Sequence, residues 1–186
     1  MLFFLRTYID QVLIHELEQC VHDCWLYEVR KGEDRCGRFF SGTNFSFFEL
    51  ADAKYRIKYG PEGGKNPSAR VVHQYRGEEV ALVEGRQLRL PEGRVFRFRE
   101  DNSLQGPGRG STANEHAFFL EDGHETFYYA GKIIAPFACT GDPKQHLYAG
   151  CIRPPGEHPL FLSMLGLHFI EAYFRQQPVA FQVISM

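Results

Sequence analysis

Leu160-Phe161-Leu162-Ser163-Met164-Leu165-Gly166-Leu167-His168-Phe169-Ile170-Glu171-Ala172-Tyr173-Phe174 is the stretch whose reading decides the fold. It follows a break at Pro154, Pro155 and Gly156. Pro159 suits the first position of a helix, where its missing N–H costs nothing. Wound as a helix, the stretch is apolar on nearly every side, which places it inside a protein or inside a membrane. Its length is about 22 Å, short of the roughly 30 Å hydrocarbon core of a bilayer. The stretch therefore predicts a helix over Leu160–Phe174 in the middle of a protein core, wrapped by whatever precedes it. Arg175–Gln177 and Pro178 end the helix, and Val179–Ile184 has the make-up of a final strand.

Upstream, the grain is that of strands. Leu26–Arg30, Phe45–Leu50, Lys54–Tyr59, Ala69–Tyr75, Glu79–Glu84, Arg94–Arg99, Ala117–Glu121, Thr126–Ala130 and Gln145–Ile152 are short and rich in β-branched or aromatic residues. Gly, Pro, Asn and Asp clusters separate them, as in all-β domains. Lys54–Tyr59 alternates, with Tyr55, Ile57 and Tyr59 on one face and Lys54, Arg56 and Lys58 on the other. Tyr8–Val21 fits either a strand or a helical stripe. Gly60–Pro67 and Gly106–Ser111 read as surface loops, since strand signals resume on both sides. The chain of 186 residues is expected to form one domain, 1–186.

A formal net charge of −2 gives no global attraction to nucleic acid, and none is expected as a partner. Five cysteines at scattered spacings are not a disulfide framework, so reduced thiols and a cytoplasmic location are expected. Met1–Leu5 is apolar but lacks the basic start and cleavage site of a signal peptide.

Two segments carry a family resemblance. Ile9-Asp10-Gln11-Val12-Leu13-Ile14-His15 resembles the opening motif of the phospholipid scramblase family. Met164-Leu165-Gly166 through Phe169-Ile170-Glu171 and Tyr173-Phe174 resembles that family's terminal helix. The lead-in from Tyr148 to Pro159, with Gly156-Glu157-His158-Pro159, is similar to the LURP-one-related pattern. The resemblance implies the tubby-like superfold: a mainly β (α+β) chain forming a closed antiparallel barrel of roughly 10–12 strands around the C-terminal helix. It also implies a non-enzymatic protein that meets phospholipid headgroups or a membrane surface. The chain departs from animal scramblases in lacking their cysteine clusters. Calcium takes roughly six to eight oxygens, and Thr140–Pro159 offers only Asp142 and Glu157 as carboxylates. No calcium site and no cofactor are assigned.

Other chemistry is sparse. Cys20, His22, Cys24 and Cys36 lack the second ligand pair of a zinc site. His15-Glu16 and His124-Glu125 do not complete a zincin motif, and Gly106-Pro107-Gly108-Arg109-Gly110 lacks the ending of a phosphate loop. His168 and Glu171, three apart, read as hydrogen-bonded residues of a core helix. Arg86, Arg89, Arg94, Arg97 and Arg99 crowd one hairpin. With Phe96 and Phe98 inward, Arg97 and Arg99 share the outer face. Guanidinium groups grip phosphate bidentately, so these five form the candidate anionic-headgroup site, against the plainer reading of a solvated barrel wall. Arg70, Arg76, Lys54, Arg56 and Lys58 add to that potential if strand order brings them near.

Three function classes follow. The first is a non-enzymatic protein at an anionic phospholipid or membrane surface. The second is a soluble scaffold or regulatory module binding a protein or small ligand through its loops, because a helix that fills the barrel leaves no internal cavity. The third, a hydrolase or transferase, would draw on Cys139, Cys151, His146 or His158 held in a pocket.

Overall fold

The structure is a computed structural model, and it describes residues 1–14, 19–42, 45–60, 68–101, 115–134, 147–156 and 160–176. Twelve strands run in chain order: β1 (Leu2–Ile14), β2 (Gln19–Lys31), β3 (Asp34–Ser41), β4 (Ser46–Leu50), β5 (Lys54–Tyr59) and β6 (Ser68–His73). Then come β7 (Glu79–Glu84), β8 (Gln87–Arg89), β9 (Val95–Glu100), β10 (Glu115–Glu121), β11 (Thr126–Ile134) and β12 (Leu147–Arg153), followed by α1 (Leu160–Gln176). Each strand pairs antiparallel with its neighbours in sequence, and β1 pairs with β12 to close the barrel. Closure removes the exposed edges that an open sheet would offer to other chains.

The strands form where side chains alternate between the core and the outside. In β9, Phe96 and Phe98 are buried and Arg97 and Arg99 exposed, as the sequence predicts. The ambiguous Tyr8–Val21 segment resolves into the end of β1 and the start of β2, paired through Gln11↔His22 and Val12↔Val21. Two strands carry no alternation strong enough to read from sequence. β3 has Gly37 in its middle, and β8 is three residues long. The expected loops at 61–67 and 106–111, the strand Val179–Ile184 and the lead-in residues Glu157–Pro159 lie outside the described residues.

The helix occupies the barrel's interior. Ring contacts reach it from many strands: Phe48 of β4 meets Phe161, Phe98 of β9 stacks on Phe169 at 5.2 Å, Phe118 of β10 meets Tyr173, and Tyr148 of β12 meets Phe174. Met164, Leu165, Leu167 and Ile170 are fully buried, and each such side chain contributes about 1.5–3 kcal/mol. A helix apolar all round is stable in water only because the strands face it from all sides.

Direction matters for the site. Phe161, in the first turn, packs on Tyr55 at the start of β5, and Arg175, in the last turn, reaches Ser41 and Gly42 at the end of β3. The helix thus enters at the end bearing the tight β8–β9 and β10–β11 turns. There Gly93 and Gly123 take φ of 89° and 90°, conformations that suit glycine. It leaves at the opposite end, beside the ends of β3, β5 and β7.

Gly166 is the tightest fit. A Cβ there would overlap the ring and hydroxyl of buried Tyr129. Gly166→Ala is expected to cost about 3 kcal/mol in urea unfolding, the upper end of overpacking penalties. Tyr129→Val in the same chain should recover much of that loss. Strict additivity of the two changes would show that they do not meet.

Candidate functional site

The five hairpin arginines do not converge on one point. Arg94 lies at the helix-entry end, where its guanidinium bonds to Asp122 at 2.5 Å and Glu125 at 2.6 Å. Asp122 also accepts the backbone N–H groups of His124 and Glu125. Burial works against its charge, but these donors win and hold it near 2. Arg99 pairs with Glu121 at 2.7 Å and lies over the Phe119 ring. Arg89 sits 3.8 Å from Glu84, both exposed. The guanidinium groups of Arg97 and Arg86 have no hydrogen-bond or ion-pair partner among the described residues. Arg86 stands in the β7–β8 turn, at the end where the helix leaves.

Strand order supplies what the sequence could not. β5, β6, β7, β8 and β9 are consecutive in the wall, so their outward cations form one surface. Lys58 pairs in register with Arg70, Arg70 with Leu82, and Leu82 with Arg89. Residues 54–60 and 68–100 carry ten Lys and Arg against five Asp and Glu, in a chain whose total is −2. One side of the barrel is therefore basic and the remainder acidic. Net charge hides such a division, which is why it escaped the composition.

The expectation that the helix leaves no internal space needs correction. A cavity of about 490 Å³ opens at the helix-exit end, between the last half of α1 and the ends of β5, β6, β7 and β9. Small residues make the room: Ser68 and Ala69 on β6 and Ala172 on the helix. Val83, Phe98 and Phe169 supply apolar wall, and Arg86 and Tyr59 stand among the polar lining.

A buried ionic cluster adjoins the cavity. Glu171 is 1% exposed. Its carboxylate accepts from Arg6 Nε at 2.7 Å, Tyr27 Oη at 2.9 Å and Arg175 Nε at 3.2 Å. Arg6 in turn lies 3.4 Å from the centre of the Trp25 ring. Burial, then the Glu171 charge, pushes the Tyr27 phenol well up, so it stays a donor. Arg175 Nη1 and Nη2 donate to Gly42 O and Ser41 Oγ. Sequence reading paired Glu171 with His168 on the same helix. Its actual partners come from β1, β2 and the next turn, and Arg6 is 165 positions away, beyond any local signal.

His168 lines the cavity instead, with its ring 6.1 Å from that of Tyr59. Burial, helped by the Arg175 charge, lowers it to about 4, so it is neutral at pH 7. Among the described residues no Ser or Cys hydrogen-bonds to a His. Ser41 bonds to Ser46 and Arg175, and Ser46 to Tyr59. Burial pushes the Cys24 thiol up to about 11, unlike a nucleophile's. Cys151 faces outward on β12, and Cys139, His146 and His158 lie outside the described residues. No three metal-ligating side chains converge among the described residues, and no helix there is long and apolar enough to cross a membrane.

Glu171→Gln is expected to cost about 3–5 kcal/mol in chemical unfolding, because two guanidinium groups lose their buried counter-charge. His168 gives a pH signature. It binds a proton near pH 6.5 when unfolded but only near 4 when folded. Its contribution is therefore complete above about pH 6.5 and lost as pH falls towards 4. His116, also lowered by burial, acts in the same direction. In urea midpoints measured from pH 7.5 to 4.5, His168→Leu should flatten the fall seen in the parent chain.

Compared with known proteins, the chain matches no family model, no curated protein and no solved structure.

Proposed function

We propose that the protein is a non-enzymatic, scramblase- and LURP-one-like barrel that docks on anionic phospholipid at a cytoplasmic membrane surface. The observation that carries this reading is the basic half of the wall, β5 to β9, with Arg86 and Arg97 free of carboxylate partners among the described residues. Each Lys or Arg near an anionic leaflet contributes about 1 kcal/mol, and the attraction weakens with salt. The strands present these groups on a rigid surface, so little order is lost on docking. Arg94 and Arg99 are already matched to acids and serve the fold more than the surface.

A second reading, a scaffold or regulatory module for a protein partner, draws on the opposite wall. Phe3 and Leu5 of β1 are 49% and 40% exposed, beside Ala130, Ala149 and Cys151 on neighbouring strands. A crosslinked partner complex lost in Phe3→Glu/Leu5→Glu but kept in an arginine variant would favour it.

Sedimentation with phosphatidylcholine vesicles, with and without phosphatidylserine, tests the first reading. Binding should require the anionic lipid and fall as salt rises. Arg86→Gln/Arg89→Gln/Arg97→Gln should weaken it by about 100-fold, at roughly 1 kcal/mol per cation. Absence of binding at low salt would overturn the proposal.

A further inference from the structure

The cavity at the helix-exit end has a polarity of its own. Its buried apolar lining is Ala69, Val83, Phe98 and Phe169, with buried, neutral His168 also in the lining. Among the described residues the one acid lining it is Glu171, whose carboxylate is engaged by Arg6, Arg175 and Tyr27. Arg175 is held in turn by Glu171, Ser41 and Gly42. Arg86 is different. It is exposed and its guanidinium has no hydrogen-bond or ion-pair partner among the described residues, although Tyr173 lies close enough to feel its charge. Of the nearby acids, Glu84 pairs with Arg89, and Glu100 accepts the Tyr173 hydroxyl at 2.7 Å; neither lines the cavity.

An apolar interior with a free guanidinium among its lining residues complements a molecule with an apolar tail and an anionic head. The volume of about 490 Å³ lies within the range of ligand-binding cavities. At roughly 30 Å³ per water-sized group, it holds a chain of about a dozen methylenes with room for a head. From this juxtaposition of Arg86 with the apolar chamber behind it, we propose that the barrel binds one single-chain anionic amphiphile. The tail lies against Val83, Phe98 and Phe169, and the carboxylate or phosphate head meets Arg86. A bare anion would leave the apolar wall unused. A neutral lipid would leave Arg86 without a counter-charge. This goes beyond the vesicle-docking reading and does not depend on it, though both use Arg86.

The test is calorimetric titration of the full chain with monomeric ligands below their micelle concentrations. Dodecanoate and dodecyl phosphate should bind one per chain, and decanoate about tenfold more weakly than dodecanoate, as expected for the loss of two buried methylenes. Inorganic phosphate and dodecanol should bind at least tenfold more weakly than dodecyl phosphate. Arg86→Gln should weaken dodecanoate about tenfold and leave dodecanol unchanged. Ala172→Leu, which fills the cavity from the last turns of the helix with a good helix former, should abolish binding of every chain-bearing ligand. A thermal melt would check that this variant is folded, and its sedimentation with anionic vesicles should persist. Failure of dodecanoate and dodecyl phosphate to bind would overturn the inference. So would equal affinity for dodecanol, or undiminished binding to folded Ala172→Leu. Saturable 1:1 binding by a chain that ignores anionic vesicles would sustain this inference and remove the docking reading. The reverse pattern would do the opposite.

Discussion

Glu171 is the point on which the structure turns. A carboxylate 1% exposed in the middle of an apolar helix is tolerable only because Arg6, Arg175 and Tyr27 all donate to it. Each partner ties a different part of the fold. Arg6 brings β1, Tyr27 brings β2, and Arg175 carries the last turn of the helix to the end of β3. The rest of the helix is mostly apolar, and its other polar ties to the wall are few: Tyr173 donates to Glu100, and Tyr129 to the carbonyls of Leu162 and Ser163. A buried ionic cluster of this kind adds little net stability against an apolar replacement. What it does supply is register: only one depth and one rotation of the helix satisfy all three donors. Gly166 against Tyr129 imposes the matching steric limit nearer the helix start.

That division of labour explains which parts of the fold the amino-acid sequence discloses. Leu160–Phe174 is apolar on nearly every side, and that pattern survives any detail of packing, so its central position was legible. Short aromatic and β-branched runs such as Lys54–Tyr59 and Arg94–Arg99 disclosed their strands because their alternation is strong. Gln87–Arg89 did not, since a strand of three residues has no period to read. The Arg6–Glu171 bond was illegible for another reason. It spans the whole chain, and nothing near either residue marks the partner. The same holds for the basic wall. Lys58, Arg70 and Arg89 lie in one row across the wall, with Leu82 between the last two, only because β5, β6, β7 and β8 are consecutive in the barrel. The cavity was missed because its volume depends on small residues from distant segments, such as Ala69 and Ala172, lining one space, which no single segment reveals.

Charge is distributed with the same economy. The acids beside β9 and β10 neutralise Arg94 and Arg99, and these pairs rigidify the wall at its helix-entry end and outer face. Arg86 and Arg97 remain without such partners among the described residues. A solvated barrel wall with no binding role has no reason to segregate its charge, since mixed signs favour solubility equally well. Here the cations gather on β5 to β9 while the chain as a whole is slightly acidic. Segregation creates a directional field, and a directional field orients a molecule before contact.

The helix therefore both removes and creates binding capacity. By filling the barrel it takes away the large central chamber that an empty barrel of this size would enclose. Its last turns fill the exit end less completely. There the small residues Ala172 of the helix and Ser68 and Ala69 of β6 leave a gap among the larger side chains that line it, Tyr59, Phe98, Phe169 and Tyr173. The polar groups nearest the gap are either satisfied within the protein, as Arg175 and Ser41 are, or held uncharged by burial, as His168 is. Arg86 alone among the cavity's charged residues is left without a protein partner among those described. A site takes its selectivity from the groups the fold leaves unmatched, and here the fold leaves one cation and an apolar wall at the same end of the barrel.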